Sequence, residues 1–116
     1  MDHKVKIVLA DASDEFRRMF ALALAEASAL ELSGDTGDGE EAVRLVQEHT
    51  PNVLIMDMVL SRMDGLEVLH TLETLTQRPR VLVLSGFARG SMAELAANSG
   101  ADYYMMKPCR ISTVLA

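Results

Sequence analysis

Four short apolar runs, each closed by one polar residue of a reactive type, constrain this chain more than any other feature. Val5-Lys6-Ile7-Val8-Leu9-Ala10 leads to Asp11, and Val53-Leu54-Ile55-Met56 leads to Asp57. Val81-Leu82-Val83-Leu84 leads to Ser85, and Tyr103-Tyr104-Met105-Met106 leads to Lys107. Runs this short and this apolar read as strands buried on both faces, as in a parallel sheet. In open parallel α/β sheets, ligands bind beyond the carboxyl ends of the strands. The pattern therefore gathers two carboxylates, a hydroxyl and an ammonium at one rim, a set suited to a metal ion and a phosphoryl group.

The length, 116 residues, is that of one domain with a full hydrophobic core. A formal net charge of -6 argues against a direct grip on nucleic acid, which needs a basic face. The lysines and arginines are scattered, so no patch for an anionic membrane is expected. One cysteine cannot build a disulfide framework, and a reducing, cytoplasmic setting is expected. Met1-Asp2-His3-Lys4 enters a strand without a secretory apolar segment, and no stretch approaches the ~20 apolar residues of a membrane span.

Strand and helix signals alternate along the whole chain. Ser13 or Asp14 is placed to cap a first helix carrying Phe16, Phe20, Leu24 and Ala27 on one face. A weaker strand is expected around Leu30-Glu31-Leu32, closed by the turn-prone Ser33-Gly34-Asp35. Asp38 with Glu41, and Asp64 with Glu67, have the spacing of capping boxes for the second and third helices, and Thr50-Pro51 ends the second. Ser91-Met92-Ala93-Glu94 starts a fourth helix, with Gly100 suited to its C′ position. Five strands alternating with helices imply a doubly wound sheet. After Lys107-Pro108 only a short or truncated fifth helix fits. The chain is expected to be a domain, residues 1–116, cut from a longer protein with a linker and an output domain beyond it, the alternative being a natural terminus with a stubby last helix.

Two carboxylates on adjacent strand ends repel unless a cation joins them. Hard oxygens there suit Mg²⁺. Asp57 as a nucleophile can hold a phosphoryl group as an acyl phosphate, with Lys107 and the Ser85 hydroxyl binding its oxygens. At this point the sequence resembles the receiver domain of bacterial two-component response regulators along nearly its whole length. The residues that carry the likeness are Leu9-Ala10-Asp11, the segment from Leu54 through Asp57 to Gly65, Leu84-Ser85-Gly86 and the segment from Gly100 to Pro108. Within the family, the last segment looks most like the receiver of the sporulation master regulator.

The resemblance implies a flavodoxin-like five-stranded parallel sheet in the order 2-1-3-4-5. It implies phosphoryl transfer to Asp57 from a histidine kinase or a histidine phosphotransfer protein. Asp11, Asp57 and the backbone carbonyl of Val59 are the implied Mg²⁺ donors. Ser85 and Tyr104 are the implied switch pair, and Lys107 the implied phosphoryl-binding lysine, with a cis bond to Pro108. The face of the fourth helix, fifth strand and fifth helix is the implied homodimer surface, controlling an output domain that acts in transcription. By the same resemblance the domain is a phosphoacceptor and not an enzyme, self-catalysed transfer and slow self-dephosphorylation aside.

The sequence departs from the family at three places. The family has two adjacent acids after the first strand, and here the pair is Asp11-Ala12. A methyl group offers no oxygen, so Mg²⁺ binding is weakened or lost unless Asp14 compensates. Against that, Asp14 also reads as an ordinary first-turn acid favoured by the helix dipole. Ser61 replaces the usual proline of the Asp57 loop and is expected to loosen that turn. Val59 and Phe87, the two positions that flank the attacking water in the family, are both apolar, so slow loss of the phosphoryl group is expected.

The five methionines near the strands, Met56, Met58, Met63, Met105 and Met106, read as adaptable packing rather than a thioether site. Cys109 reads as a reduced thiol, and His3, His49 and His70 lack metal-ligand spacing. Leu95, Ala96 and Ala97 read as ordinary helix packing. A phosphatase using Asp57 lacks a second acid, since Val59 stands two residues on, and no P-loop or dinucleotide fingerprint is present. The serious rival is a phosphorylation-independent pseudo-receiver that works through protein contacts.

Overall fold

A computed structural model describes residues 4–85 and 100–106 of the chain. Phe87, the fourth-helix segment with Leu95 to Ala97, Lys107-Pro108, Cys109, His3 and the last-helix segment lie outside the described residues. The elements run β1 (Val5–Ala10), α1 (Asp14–Ala25), β2 (Leu30–Thr36), α2 (Gly39–His49), β3 (Val53–Met56), α3 (Gly65–Leu72), β4 (Arg80–Ser85) and β5 (Tyr103–Met106). All strand pairs are parallel and the sheet order is β2-β1-β3-β4-β5, as expected from the sequence.

The continuous apolar character of the inner strands follows from burial on two sides. Val8, Ala10, Leu54, Met56, Val81 and Val83 pack under α2 and α3. The alternate residues Ile7, Leu9, Ile55, Leu82 and Leu84 pack with Phe20 and Leu24 of α1. Each large side chain withdrawn fully from water in this way contributes roughly 1.5–3 kcal/mol before the entropy of ordering is set against it.

The helix starts follow the caps read from the sequence. The Ser13 hydroxyl accepts the Phe16 N–H at 3.1 Å, and Asp64 with Glu67 forms a reciprocal capping box. Asp38 caps α2 by accepting from the Glu40 and Glu41 N–H groups, while its own N–H donates to the Thr36 hydroxyl at 3.1 Å and the Glu41 carboxylate accepts from Arg44, so the box is not closed. Thr50 ends α2 in the left-handed region at φ 43°, and Pro51 follows. Gly100 has φ 108°, a backbone conformation that L side chains rarely adopt, and the helix expected before it lies outside the described residues. Ala27 falls beyond the end of α1 rather than on its face.

The expectation for β2 is also corrected. Ser33-Gly34-Asp35 does not close β2 but lies within it, and the strand continues to Thr36. Ile7 pairs with Leu32 and Val8 with Gly34, so Ser33 is the extra residue of a β-bulge. The turn-forming composition is spent on this bulge because β1 keeps pairing beyond it. The bulge also serves the rim, since it brings the end of β2 level with Asp11.

Candidate functional site

Asp11 and Asp57 leave adjacent strands at the same edge. Ala10 pairs with Met56 in the β1–β3 register, and the Asp57 N–H donates to the Ala10 carbonyl at 2.8 Å. Asp11 is buried, at 1% exposure, and its N–H donates to the Thr36 carbonyl at 2.8 Å. One Asp11 carboxylate oxygen accepts the Ser13 N–H at 2.9 Å. Its position just ahead of α1 places its negative charge at the positive end of that helix. Asp57 is half-buried, and its Oδ1 accepts the Val59 N–H at 3.2 Å. Ser85 ends β4 opposite Met106 of β5, so the backbone carries the third strand-end residue to the same edge. Lys107 follows Met106 directly and lies outside the described residues.

The loop after Asp57 is tied at several points. The Gly65 N–H donates to the Met58 carbonyl at 2.8 Å, folding the loop back onto the start of α3. Ser61 forms an isolated parallel bridge with Asp38, and the Gly39 N–H donates to the Ser61 carbonyl at 2.9 Å. The Ser61 N–H and hydroxyl both donate to the Gly37 carbonyl. Arg62, at φ 65°, pairs with Asp38. Partial desolvation pulls the Asp38 carboxyl upward, but the Glu41 N–H, the Arg62 guanidinium and the Glu40 N–H together outweigh it. The carboxyl is held below the ordinary 3.8. Ser61 thus tightens the loop instead of loosening it, because serine keeps the N–H that proline lacks. The sequence pointed to Ser61 as a departure but not to its partner.

Ala12 is exposed and offers no ligand. Asp14 is directed to Arg17, with its side chain 79% exposed. Arg17 also donates to the Asp11 carbonyl and, at 3.1 Å, to Asp35. Sequence reasoning missed Arg17; its i, i+3 spacing from Asp14 was the available signal. Among the described residues no group of three or more His, Cys, Asp or Glu is placed to hold a metal ion. The carboxylates that the described residues bring to the rim are those of Asp11 and Asp57. That set fits Mg²⁺, which commonly takes one or two carboxylates and keeps several waters.

Tyr104 is partly buried against the α2–α3 side of the core. Its hydroxyl is buried without a hydrogen-bond partner among the described residues. Met56 and Met58 are core residues, and Met63 and Met105 pack against the core, as expected for adaptable packing. Among the described residues no helix is long and apolar enough to cross a membrane.

Comparison with known proteins agrees with this geometry. "Transcriptional regulatory protein PdtaR" of Mycobacterium tuberculosis is 35% identical over 85 residues, covering 73% of this chain and 41% of that protein. The chain therefore spans less than half the length of the curated relative it matches. The receiver domain of the putative response regulator NarL from M. tuberculosis superposes with a TM-score of 0.89 at 26% identity, over 97% of this chain and 94% of that one. A DNA-binding response regulator of the LuxR family from Staphylococcus aureus also gives a TM-score of 0.89 at 26% identity, over 96% of this chain and 92% of that one. The finer likeness of the Gly100–Pro108 segment to a sporulation regulator finds no support in these relatives. Residues 7–116 match the family described as "Response regulator receiver domain", and the chain belongs to that family of two-component signalling domains.

Proposed function

We propose that this domain accepts a phosphoryl group on Asp57 from the phosphohistidine of a kinase or a histidine phosphotransfer protein. The observation that carries the reading is the pairing of Asp11 and Asp57 on adjacent strand ends, with both backbones fixed by 2.8 Å hydrogen bonds. A carboxylate oxygen of Asp57 attacks phosphorus, the P–N bond to the histidine breaks, and the imidazole nitrogen leaves with the electron pair. The product is an acyl phosphate. Asp11, Asp57 and the Val59 carbonyl would hold Mg²⁺, which would supply charge neutralisation. Lys107 and the Ser85 hydroxyl bind phosphoryl oxygens.

Ser85 and Tyr104 then act as the switch pair. The partly buried ring of Tyr104 and its unpartnered hydroxyl among the described residues support a side chain with a second placement open to it. The affected face, formed by the fourth helix, β5 and the fifth helix, pairs with a second receiver and controls an output domain in transcription. The transcriptional name of the PdtaR relative supports that output. A cytoplasmic location belongs to the same proposal.

A second reading has its own observation. Ala12 supplies no oxygen and Asp14 is engaged by Arg17, which favours a pseudo-receiver acting through protein contacts. Incubation with acetyl phosphate and Mg²⁺, followed by intact mass beside Asp57→Asn, separates the two. A gain of one phosphoryl group that the control lacks supports the phosphoacceptor. No gain at high Mg²⁺ leaves the pseudo-receiver.

A further inference from the structure

We propose that Arg17 is a latch that holds Asp14 away from the Asp11–Asp57 rim, so that the acid missing at Ala12 is not replaced and the domain binds Mg²⁺ weakly. This rests on the reading of the rim as a Mg²⁺ site. Arg17 is then a positioning residue, acting on the metal through Asp14.

The guanidinium joins three segments at once. It donates to the Asp11 carbonyl at the end of β1, pairs with Asp14 in the first turn of α1, and donates through Nε to Asp35 in β2 at 3.1 Å. The Arg17 side chain is only 17% exposed, whereas that of Asp14 is 79% exposed. Gly37 makes room for the arrangement, since a Cβ there would stand 3.0 Å from Nη1 of Arg17. A planar fork with several fixed N–H donors can serve three acceptors in different directions, which a single ammonium does poorly. Asp14 follows Asp11 by three residues, with Ala12 and Ser13 between them. Asp11 apart, its carboxylate is the described acid closest in sequence to Ala12; the guanidinium that braces Asp11 also engages it, and among the described residues it forms no metal-holding group with Asp11 and Asp57.

The test is a Mg²⁺ titration of the domain, read from the amide NMR shifts of residues 11–14 and 57–59. Arg17→Lys keeps the charge and the aliphatic stem but loses the fork. It is expected to tighten Mg²⁺ binding about two- to fivefold, the size that an exposed ion pair can withhold. Asp14→Asn alone is expected to leave the wild-type affinity unchanged, and combined with Arg17→Lys to cancel the gain. A gain that survives Asp14→Asn overturns the latch, because Asp14 is then not its agent. A loss of affinity in Asp14→Asn alone also overturns it, because Asp14 would already be a ligand. Arg17→Gln provides a second release, with unchanged α2 amide shifts as the check on folding. No gain in either Arg17 variant overturns the latch as well, and Ala12→Asp tells the two failures apart. If Ala12→Asp binds Mg²⁺, the metal reading stands without the latch; if it does not, both fall.

Discussion

Ser61 donates two hydrogen bonds to one acceptor, the Gly37 carbonyl, its backbone N–H at 3.1 Å and its hydroxyl at 3.1 Å. This single residue fastens the loop after β3 to the loop before α2. Ser61→Pro removes the N–H donor and the hydroxyl together, and is expected to destabilise the domain by about 1–2 kcal/mol. Ser61→Ala removes only the hydroxyl and is expected to cost less. Urea denaturation of the three proteins gives the order directly. A proline variant as stable as wild type would show that the tie contributes nothing.

Gly39 sits where a side chain has no room. A Cβ there would stand 1.7 Å from the Met63 carbonyl oxygen and 2.9 Å from the Met63 Cβ. Backbone on that side cannot yield without breaking the Asp38–Ser61 bridge. Gly39→Ala is expected to cost about 3 kcal/mol, at the upper end for overpacking. Gly34→Ala is the contrast, because its Cβ would meet only the flexible end of Leu45, at 3.2 Å. Thermal melts should show a large drop for the first and a small one for the second.

The fold and half of the rim were legible because they depend on local signals. β1, β3 and β4 declare themselves by unbroken apolar runs, and Ser13, Asp38 and Asp64 by cap spacing. Ser33-Gly34-Asp35 misled because the same residues suit a turn and a bulge, and only pairing with β1 decides between them. The Ser61–Gly37 tie spans 24 residues and connects two loops, so no periodicity records it. Arg17 was half legible: its spacing to Asp14 is local, but its reach to Asp35 depends on where the bulge in β2 puts that residue.

Asp38 makes part of the stability pH-dependent. Its carboxyl is held below the ordinary 3.8 in the fold by the Glu41 N–H, Arg62 and the Glu40 N–H, which outweigh desolvation. A depressed carboxyl contributes stability that is fully present above its unfolded pKa and is lost as the pH falls through the lower folded value. Asp38→Asn removes that contribution while leaving the other carboxylates in place. The urea midpoints of wild type and variant should therefore differ most near about pH 6 and converge as the pH falls below the ordinary carboxylate range. A gap that does not narrow on acidification would mean that the charge of Asp38 is not what stabilises the loop pair.

Val59 bears on how long a phosphoryl group would persist on Asp57. Its N–H donates to Asp57 Oδ1 at 3.2 Å, and the residue is 51% exposed. An apolar side chain at that place cannot accept a proton from an incoming water or orient it toward phosphorus. The acyl phosphate is therefore expected to decay slowly in the wild-type domain. Val59→Glu adds an acceptor and keeps the backbone carbonyl that the proposed site would use for the metal. It is expected to speed decay by about tenfold, well below the ~10²–10⁴ of a fully placed general base. Timed intact mass after removal of acetyl phosphate measures both lifetimes. Equal lifetimes would place control of hydrolysis elsewhere, with Phe87 the first position to change next. Rapid decay already in the wild type would show that the apolar pair does not shield the acyl phosphate at all.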